Sequence, residues 1–476
     1  MEEPSIFDNI SPLDHRYYLA NRELFERLRS YLSESASIEY CKRAELALLR
    51  CHIELHLEND LDLLQAVEAA HDALTAAEVY EEEERTQHNV RALVHVIKRH
   101  LPPRLAPFVH LGATSVDILD TAFSMRIRDA VRNVILPLLI DLEALLIRRA
   151  REEIETSQVG RTHGQHAVPI TFGFALSEYV ARFGASIREI DVRSRDLRGK
   201  LSGAVGAYNA TSFVSGDPAA LERRYLEQLG LSPSEIATQM VIPEYLLRLL
   251  LEINISFGIA ANLADDLRHL QRSEIDEVRE FFGEAQVGSS TMPQKRNPWN
   301  SEHVKSLWKA YSPRVMTFFM DQISEHQRDL SNSASSRFVV EYLTGFAAAI
   351  ERLRRIVGGL AINRKRMLET LASCGGGILA EPSYILLALA GDLDAHEEIR
   401  RITLDAESAN IPFDQALRKR TDVWETISKQ LSRIGGPPVD EFFAHPELYR
   451  GIAIEKTTEI TDRYQEMLDS IREGLE

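Results

Sequence analysis

The residues best suited to chemistry lie in a polar segment, VGSSTMPQKRNP, that runs from Val287 to Pro298. It holds two adjacent hydroxyl groups, an ammonium group at Lys295, a guanidinium group and an amide at Asn297. The final Asn-Pro pair favours a helix start, because asparagine can cap free N–H groups and proline suits the first helical turn. Cations at the positive end of a helix dipole favour a bound anion. Taken alone, the segment also fits an ordinary connecting loop.

Three further polar segments interrupt an otherwise helical pattern, and long helices can bring such segments together. They hold hydroxyls, histidines and cations with few carboxylates, and they are HLGATSVDILDTA (110–122), GRTHGQHAVPITFG (160–173) and EHQRDLSNSASSR (325–337). These groups suit abstraction of a proton beside a carboxylate, because N–H donors and Lys295 can stabilise the developing charge. A histidine can then protonate the leaving group. From the residues alone, Lys295 or a histidine is a better base than a serine hydroxyl.

The elements that must position these segments are helices. Apolar residues recur three and four apart from Arg16 onward, and we find no alternating strand pattern of useful length. We predict helices over residues 38–57, 61–74, 79–99, 131–155, 174–201, 243–282, 299–319 and 339–360. The fold class is therefore all-α, with a central bundle of long helices. We place the domains at residues 1–110, 111–362 and 363–476.

The overall composition excludes several classes of protein. The chain has 476 residues, of which 44% are hydrophobic and 27% charged, a balance typical of soluble globular proteins. Its formal net charge of −17 argues against nucleic-acid binding. The N-terminus has no apolar core for a signal peptide, and Arg248 and Glu252 interrupt the most apolar run, so we expect a cytoplasmic protein without a membrane span. Three cysteines without CxxC spacing predict neither disulfides nor a zinc site.

GSSTMPQKRNP resembles the signature loop of the fumarase/aspartase superfamily, whose members mostly eliminate fumarate. GATSVDILDTA, RTHGQHAVPITFG and SGAVGAYN follow the matching order, and the small residues of the last allow a backbone to approach a ligand closely. Within the superfamily, SPLDHRY, TQHNV and QRDLSNSASSR most resemble the adenylosuccinate lyase family. The resemblance implies a three-domain homotetramer with composite active sites, no metal and no organic cofactor. It also implies reversible elimination of fumarate from adenylosuccinate and from the related succinylated carboxamide ribotide of purine biosynthesis.

The resemblance further implies roles for the matching residues. Ser289 becomes the general base in place of Lys295, and His163 becomes the acid that protonates the departing amine. Lys295 and Asn297 hold substrate carboxylates, together with the hydroxyls of Thr114 and Ser115. The remaining substrate contacts are Thr162, His88, Asn89, Gln239, His303 and two phosphate segments, one with Arg16 and Tyr17, the other with Arg328, Ser333 and Arg337.

Two positions depart from the family pattern. His15 stands where the family more usually has an aromatic residue or glycine. Asn89 stands where the family usually has aspartate after the histidine. The substitution removes a carboxylate that could raise the pKa of His88, which bears on the role of His88 as a partner acid. We expect His166, three residues beyond His163, to be structural.

Three alternatives stay open at this stage. Argininosuccinate lyase and carboxymuconate cycloisomerase share the superfamily fold but need no phosphate pocket, so Arg16, Tyr17, Ser333 and Arg337 distinguish them from a nucleotide-specific enzyme. The third alternative is a non-catalytic helical scaffold. The presence of Ser289 and His163 together with Lys295 and Asn297 argues against it.

Overall fold

The computed structural model describes residues 5–283 and 288–475, so Val287, the first residue of the predicted loop, lies outside them, as do the outermost residues of the terminal domains. The N-terminal helices are α1 (Tyr18–Ala20), α2 (Arg22–Leu32), α3 (Glu34–His56), α4 (Leu61–Ala73), α5 (Ala76–Thr86) and α6 (Asn89–His100). The single helix predicted over 79–99 is wrong, because Gln87 adopts a left-handed φ of 52° and ends α5. The break places His88 immediately before α6.

The central bundle contains the longest helices. These are α7 (Ser115–Ala130), α8 (Leu136–Glu152), α9 (Phe172–Arg195), α10 (Thr211–Val214), α11 (Pro218–Gln228), α12 (Glu244–Leu270), α13 (Trp299–Tyr311), α14 (Val315–Met320) and α15 (Val339–Gly359). A π-helical turn (Val131–Ile135) joins α7 directly to α8, and Pro137 lies in the first turn of α8. The helix predicted over 243–282 ends early, at Leu270, and the chain then turns at Asp276, whose φ is 54°.

Helix α12 is the apolar helix at the centre of the bundle. By length and composition it could cross a membrane, but over half of its apolar stretch is buried inside the fold. Leu249, Ile253, Phe257 and Ala260 on this helix are fully buried. Its apolar surface is therefore used for packing in a helical core.

The C-terminal region is a smaller set of helices. They are α16 (Arg364–Ser373), α17 (Ala380–Leu389), α18 (Ala395–Ala409), α19 (Phe413–Arg418), α20 (Thr421–Arg433), α21 (Val439–Ala444) and α22 (Ala453–Glu473). The all-α class is confirmed, but short strands occur: β1 (Ser157–Thr162) pairs antiparallel with β2 (Gln165–Thr171), β3 (Arg198–Gly199) parallel with β4 (Ser232–Pro233), and β5 (Val278–Arg279) antiparallel with β6 (Ala361–Ile362). The expectation of no useful strand is therefore wrong for the β1–β2 hairpin.

Three apolar cores hold the described residues together. One unites α3–α6 with part of α7 and α11, the second occupies the central bundle, and the third joins α16–α21 with Val159 of β1. Helices α2 and α22, at opposite ends of the chain, both pack into the central core. The three-domain division stays a prediction, because the apolar cores do not define the residues at which one domain ends and the next begins.

Candidate active site

The loop from Gly288 to Pro298 closes on itself. Asn297 Nδ2 donates to Gly288 O at 3.1 Å, which joins the two ends. A Cβ at Gly288 would overlap Lys295 O, so only glycine fits this closed turn. Ser289 Oγ accepts hydrogen bonds from Thr291 N at 3.3 Å and Met292 N at 3.1 Å. Both N–H groups stabilise negative charge on this oxygen, while the side chain of Lys295 is exposed to solvent.

Helix α13 begins differently from the prediction. Asn297 does not cap it, because the helix starts at Trp299 and the Asn297 amide is used to close the loop. The cap comes from Glu280: its carboxylate accepts from Asn300 N at 3.2 Å and from Ser301 N and Oγ at 2.7 and 2.6 Å. A carboxylate of the protein thus occupies the positive helix end, and an anion near this loop must be bound by side chains.

The first predicted phosphate segment lies against α13. The Tyr17 hydroxyl and His303 Nε2 form a hydrogen bond of 3.0 Å, and their rings are 5.7 Å apart. Buried Leu13 anchors the turn that carries Tyr17, while Arg16 is exposed. Burial, together with the nearby Arg352 cation, lowers the pKa of His303. The structure therefore brings Arg16, Tyr17 and His303 to one place beside the signature loop.

Thr162 and His163 lie at the tip of the β1–β2 hairpin. His163 and Gly164 have φ values of 54° and 74°, the two consecutive positive angles of a tight two-residue turn. Arg161 pairs with Glu277 through Nη1 at 3.1 Å and Nη2 at 2.5 Å. The end of the hairpin beside its turn is thus fixed next to β5, while Thr162 and His163 are exposed. The sequence signal for this hairpin is the His163-Gly164 pair at the turn.

The Thr114–Ser115 hydroxyls lie at the start of α7. The helix begins at Ser115 with Thr114 as its cap, one residue earlier than we predicted, because Asp117 Oδ2 accepts from Thr114 N at 2.8 Å. Asp117 Oδ1 forms a buried ion pair with Lys200 and accepts from Ser202 N and Gly203 N, each at 3.2 Å. Asp117 and Lys200, absent from our predicted site, therefore fix the start of α7, with Thr114 and Ser115, to the glycine-rich segment.

At one position, the glycine-rich segment SGAVGAYN packs closely against another part of the protein, where we expected it to approach a ligand. A Cβ at Gly206 would overlap Ala237 O, so this glycine lets the segment pack against the turn that carries Gln239. The expectation that the backbone approaches a ligand is therefore wrong at Gly206. At Gly203, by contrast, no atom lies within 4 Å of where a Cβ would stand.

Gln239 and Arg328 contact each other. Arg328 Nη1 donates to Gln239 Oε1 at 3.4 Å, and Gln239 N donates to Gln327 O at 3.3 Å. Asp120, on α7, supports the same turn because its Oδ2 accepts from Val241 N at 2.9 Å. Burial raises the pKa of Asp120 to about 6, against the opposing effects of the Val241 N–H, Lys200 and Arg328. Sequence reasoning missed Asp120, which carries no motif signal distinct from Asp117.

His88 caps α6. Its Nδ1 accepts from Arg91 N at 3.3 Å, so the neutral ring carries its proton on Nε2. Asn89 Oδ1 accepts from Val90 N at 2.7 Å and lies in a small cavity beside Leu119 of α7. The positive charge of Arg91 opposes the overall rise in the pKa of His110. The start of α6 therefore lies near the segment before Thr114.

Ser333 and Arg337, from the second phosphate segment, are both exposed. Asp321 stabilises the fold of this segment, because it accepts from Ser335 Oγ at 2.7 and 2.8 Å and its carbonyl accepts from Asn332 Nδ2 at 2.7 Å. His166, expected to be structural, contacts Cys374: its Nδ1 lies 3.2 Å from Cys374 Sγ.

Fourteen of the sixteen predicted site residues form three groups within one chain, and the other two, Ser333 and Arg337, are exposed and belong to none of them. One group surrounds the start of α7, with His88, Asn89, Thr114, Ser115, Gln239 and Arg328; the second surrounds the signature loop, with Arg16, Tyr17, Ser289, Lys295, Asn297 and His303; the third is the hairpin tip, with Thr162 and His163. Across residues 5–283 and 288–475, no hydrogen bond or ion pair joins Ser289 to His163. Within the same residues, no cluster of three histidine, cysteine or acidic side chains is placed to bind a metal.

Comparison with protein-family models places two matches along the chain. A lyase family model matches residues 12–310, and an adenylosuccinate lyase C-terminal model matches residues 324–436. Adenylosuccinate lyase of Pyrococcus abyssi is 30% identical over 464 residues, covering 96% of this chain and 98% of its own. That of Archaeoglobus fulgidus is also 30% identical, covering 96% and 99% respectively.

Solved structures share the fold at lower sequence identity. A fumarate lyase from Mesorhizobium sp. BNC1 superposes with a TM-score of 0.77 at 22% identity, covering 92% of this chain and 97% of its own. The 3-carboxy-cis,cis-muconate lactonizing enzyme of Pseudomonas putida gives 0.77 at 24% identity with the same coverage. These likenesses establish the architecture.

Proposed function

Because the chain belongs to the adenylosuccinate lyase family within the fumarase/aspartase superfamily, we propose that it eliminates fumarate from adenylosuccinate to give AMP, reversibly. The same chemistry extends to the succinylated aminoimidazole carboxamide ribotide of purine biosynthesis. The observation that carries the proposal is the match to this family along nearly the whole chain. The enzyme is a carbon–nitrogen lyase acting on a small molecule.

The loop geometry supports Ser289 as the general base of this elimination. In the proposed step, Ser289 Oγ removes a proton from the succinyl carbon beside a carboxylate, and the C–N bond then breaks. Charge accumulates on that carboxylate, where Lys295 and Asn297 bind it. The two N–H groups that donate to Ser289 Oγ favour its charged form, which a serine base requires.

His163 supplies the proton to the departing nitrogen in this proposal. Its exposed position at a rigid two-residue turn suits a group that must reach a substrate bound elsewhere. Hydroxyls of Thr114, Ser115 and Thr162 hold the succinyl carboxylates, and Gln239 contacts the substrate amide. His88 and Asn89 complete this side of the site.

We propose that the three groups of residues meet between subunits of a cytoplasmic homotetramer. Two features support this: the hairpin tip is exposed to solvent, and apolar side chains are exposed on α14 and three residues beyond its end, at Met316, Phe319, Met320 and Ile323 (56, 46, 60 and 78%). Contiguous exposed apolar side chains commonly mark a protein interface.

In this proposal, the substrate phosphate is bound by Arg16, Tyr17, Arg328, Ser333 and Arg337. This phosphate site distinguishes the proposed enzyme from argininosuccinate lyase and the cycloisomerase. Arg337→Ala should therefore raise the KM for adenylosuccinate roughly tenfold or more while changing kcat less, because a charge-assisted contact made before the chemical step is lost. Steady-state kinetics measure this. An unchanged KM and kcat would argue against nucleotide specificity.

The direct test of the proposed function is fumarate release. Purified protein is mixed with adenylosuccinate, and fumarate is followed by absorbance. Turnover supports the proposal. No fumarate at high enzyme concentration would contradict it and favour a different substrate or the non-catalytic scaffold.

A further inference from the structure

Arg352 on α15 is a half-buried cation without a carboxylate partner. Its Nη1 donates to Asn300 Oδ1 at 2.6 Å, and its guanidinium carbon lies 5.2 Å from the centre of the Trp299 ring. Along the described parts of the chain, Arg352 makes no ion pair, and its Nε and Nη2 make no hydrogen bond. Half-burial costs an arginine part of its hydration, and this cost is usually offset by a paired anion.

The two neighbouring arginines show the usual arrangement. Arg354 Nε donates to Glu351 Oε2 at 2.7 Å, and Arg355 Nε donates to Glu351 Oε1, also at 2.7 Å. All three arginines lie on one helix, so helical environment does not explain why Arg352 alone among them is unpaired.

The carboxylate that acts on Arg352 is already engaged. Glu280 exerts a Coulombic effect on Arg352, but its two oxygens accept from the backbone and side chains of Asn300 and Ser301 at the start of α13. Arg352 therefore contributes net positive charge to this place.

The same place contains the first predicted phosphate segment. Burial and the Arg352 cation lower the pKa of His303, whose Nε2 forms a 3.0 Å hydrogen bond with the Tyr17 hydroxyl. Exposed Arg16 adjoins Tyr17 in the chain. Helix α15, which carries Arg352, packs against both the Leu13–Tyr17 turn and α13, so a cation, a hydroxyl and an imidazole lie in one region, with Arg16 next in the chain. Such donors suit a phosphate monoester.

We propose that Arg352 binds the phosphate group of the nucleotide through the open edge of its guanidinium group, beside Arg16 and Tyr17. This inference rests on the proposed function and adds a cation that the sequence motifs do not indicate. The stacking on Trp299 and the hydrogen bond to Asn300 hold the guanidinium plane, so its remaining N–H groups are oriented before the ligand arrives.

Direct binding separates this role from a structural one. Calorimetry compares AMP with adenosine, which lacks the phosphate, on the wild type, Arg352→Gln and the control Arg355→Gln. We expect Arg352→Gln to weaken AMP binding by roughly 10- to 100-fold, the effect of losing a charge-assisted hydrogen-bonded contact. Adenosine binding should stay within about twofold of the wild type, and Arg355→Gln should bind both ligands normally.

An equal loss for AMP and adenosine, or no loss for either, would overturn the inference. Arg352→Lys, which keeps the charge but not the planar fork, should fall between wild type and Arg352→Gln, and it serves if the glutamine variant does not fold. Circular dichroism checks folding. If the wild-type protein releases fumarate but Arg352→Gln binds AMP as tightly as the wild type, this inference alone is refuted. If the wild-type protein releases no fumarate, the proposed function is refuted.

Discussion

At the scale of single residues, the backbone of the signature loop supports Ser289, the proposed base. Ser289 Oγ accepts N–H groups from the second and third residues that follow it. Lys295 makes no ion pair with any described residue, so its charge remains available for a carboxylate. Donors already oriented toward a developing charge need not reorganise during reaction. The proposal thus assigns proton abstraction to Ser289 and carboxylate binding to Lys295, whereas side-chain basicity alone favours Lys295 or a histidine as the base.

Asp120 should make stability depend on pH. Its carboxyl has a pKa raised from 3.8 to about 6, so the ionised form is disfavoured in the folded state. The stabilisation from the protonated Asp120 carboxyl is fully present below its pKa in the unfolded chain. It is lost as the pH rises through its pKa in the folded protein. Relative to Asp120→Asn, the wild type should lose about 1–3 kcal/mol between pH 4 and pH 6. Urea unfolding of both proteins across this range measures the difference, and parallel curves would contradict the raised pKa.

Residues with a local signature could be predicted, whereas those paired at long range could not. Ser289 and His163 were identified by motif resemblance, and their roles remain predictions. Asp117 and Lys200 lie 83 residues apart, and no periodicity relates them. Arg352 and Asp120 belong to ordinary helical patterns and gain meaning only from what packs beside them.

At the scale of elements, short segments between helices determine where the chemistry lies. Glu277 holds the hairpin through Arg161, and three residues later Glu280 caps α13. One stretch of chain therefore positions both the His163 turn and the signature loop. The helices were predictable from apolar spacing. The strands of the hairpin show no alternation, and its local sequence signal is the His163-Gly164 pair at the turn.

The buried Lys200–Asp117 ion pair should matter to the stability of the α7 start. Lys200→Met leaves a buried carboxylate without its cation, so we expect the free energy of unfolding to fall by about 3–5 kcal/mol. The control is Lys365→Met, which removes an exposed pair with Glu369 and should cost less than about 1 kcal/mol. Urea unfolding measures both. Similar small losses in the two variants would show that Lys200 is dispensable.

At the scale of the whole molecule, three apolar cores support three groups of site residues. Among the described residues, no hydrogen bond or ion pair joins a member of one group to a member of another, which is the reason for proposing an assembly of subunits. The net charge of −17 opposes an anionic substrate, so binding must rely on local cations such as Arg16. Fold class follows from helical periodicity, but the meeting of groups across subunits has no signature in a single sequence.

The central core contains one feature that should lower stability. Both oxygens of fully buried Glu143 lack a hydrogen-bond partner within the described residues, and burial raises its pKa well above the usual value. We expect Glu143→Leu to raise the free energy of unfolding by about 1–3 kcal/mol at pH 7. The gain should shrink as pH falls toward 4.5, where the unfolded carboxyl also binds a proton.

Thermal unfolding at pH 5 and pH 8 tests this prediction, with Glu155→Leu on the exposed segment after α8 as the control. A lower transition temperature for Glu143→Leu at both pH values would show that the carboxyl makes a stabilising contact.

The most direct test of the proposed chemistry is Ser289→Ala, examined for turnover and binding together. Loss of the base should reduce fumarate release from adenylosuccinate by roughly a thousandfold or more. Binding of adenylosuccinate, measured by calorimetry on the same protein, should remain within a few-fold of the wild type, because Lys295, Asn297 and the phosphate contacts are intact. Near-normal turnover in Ser289→Ala would contradict the assignment of the base and return the Gly288–Pro298 loop to a connecting role.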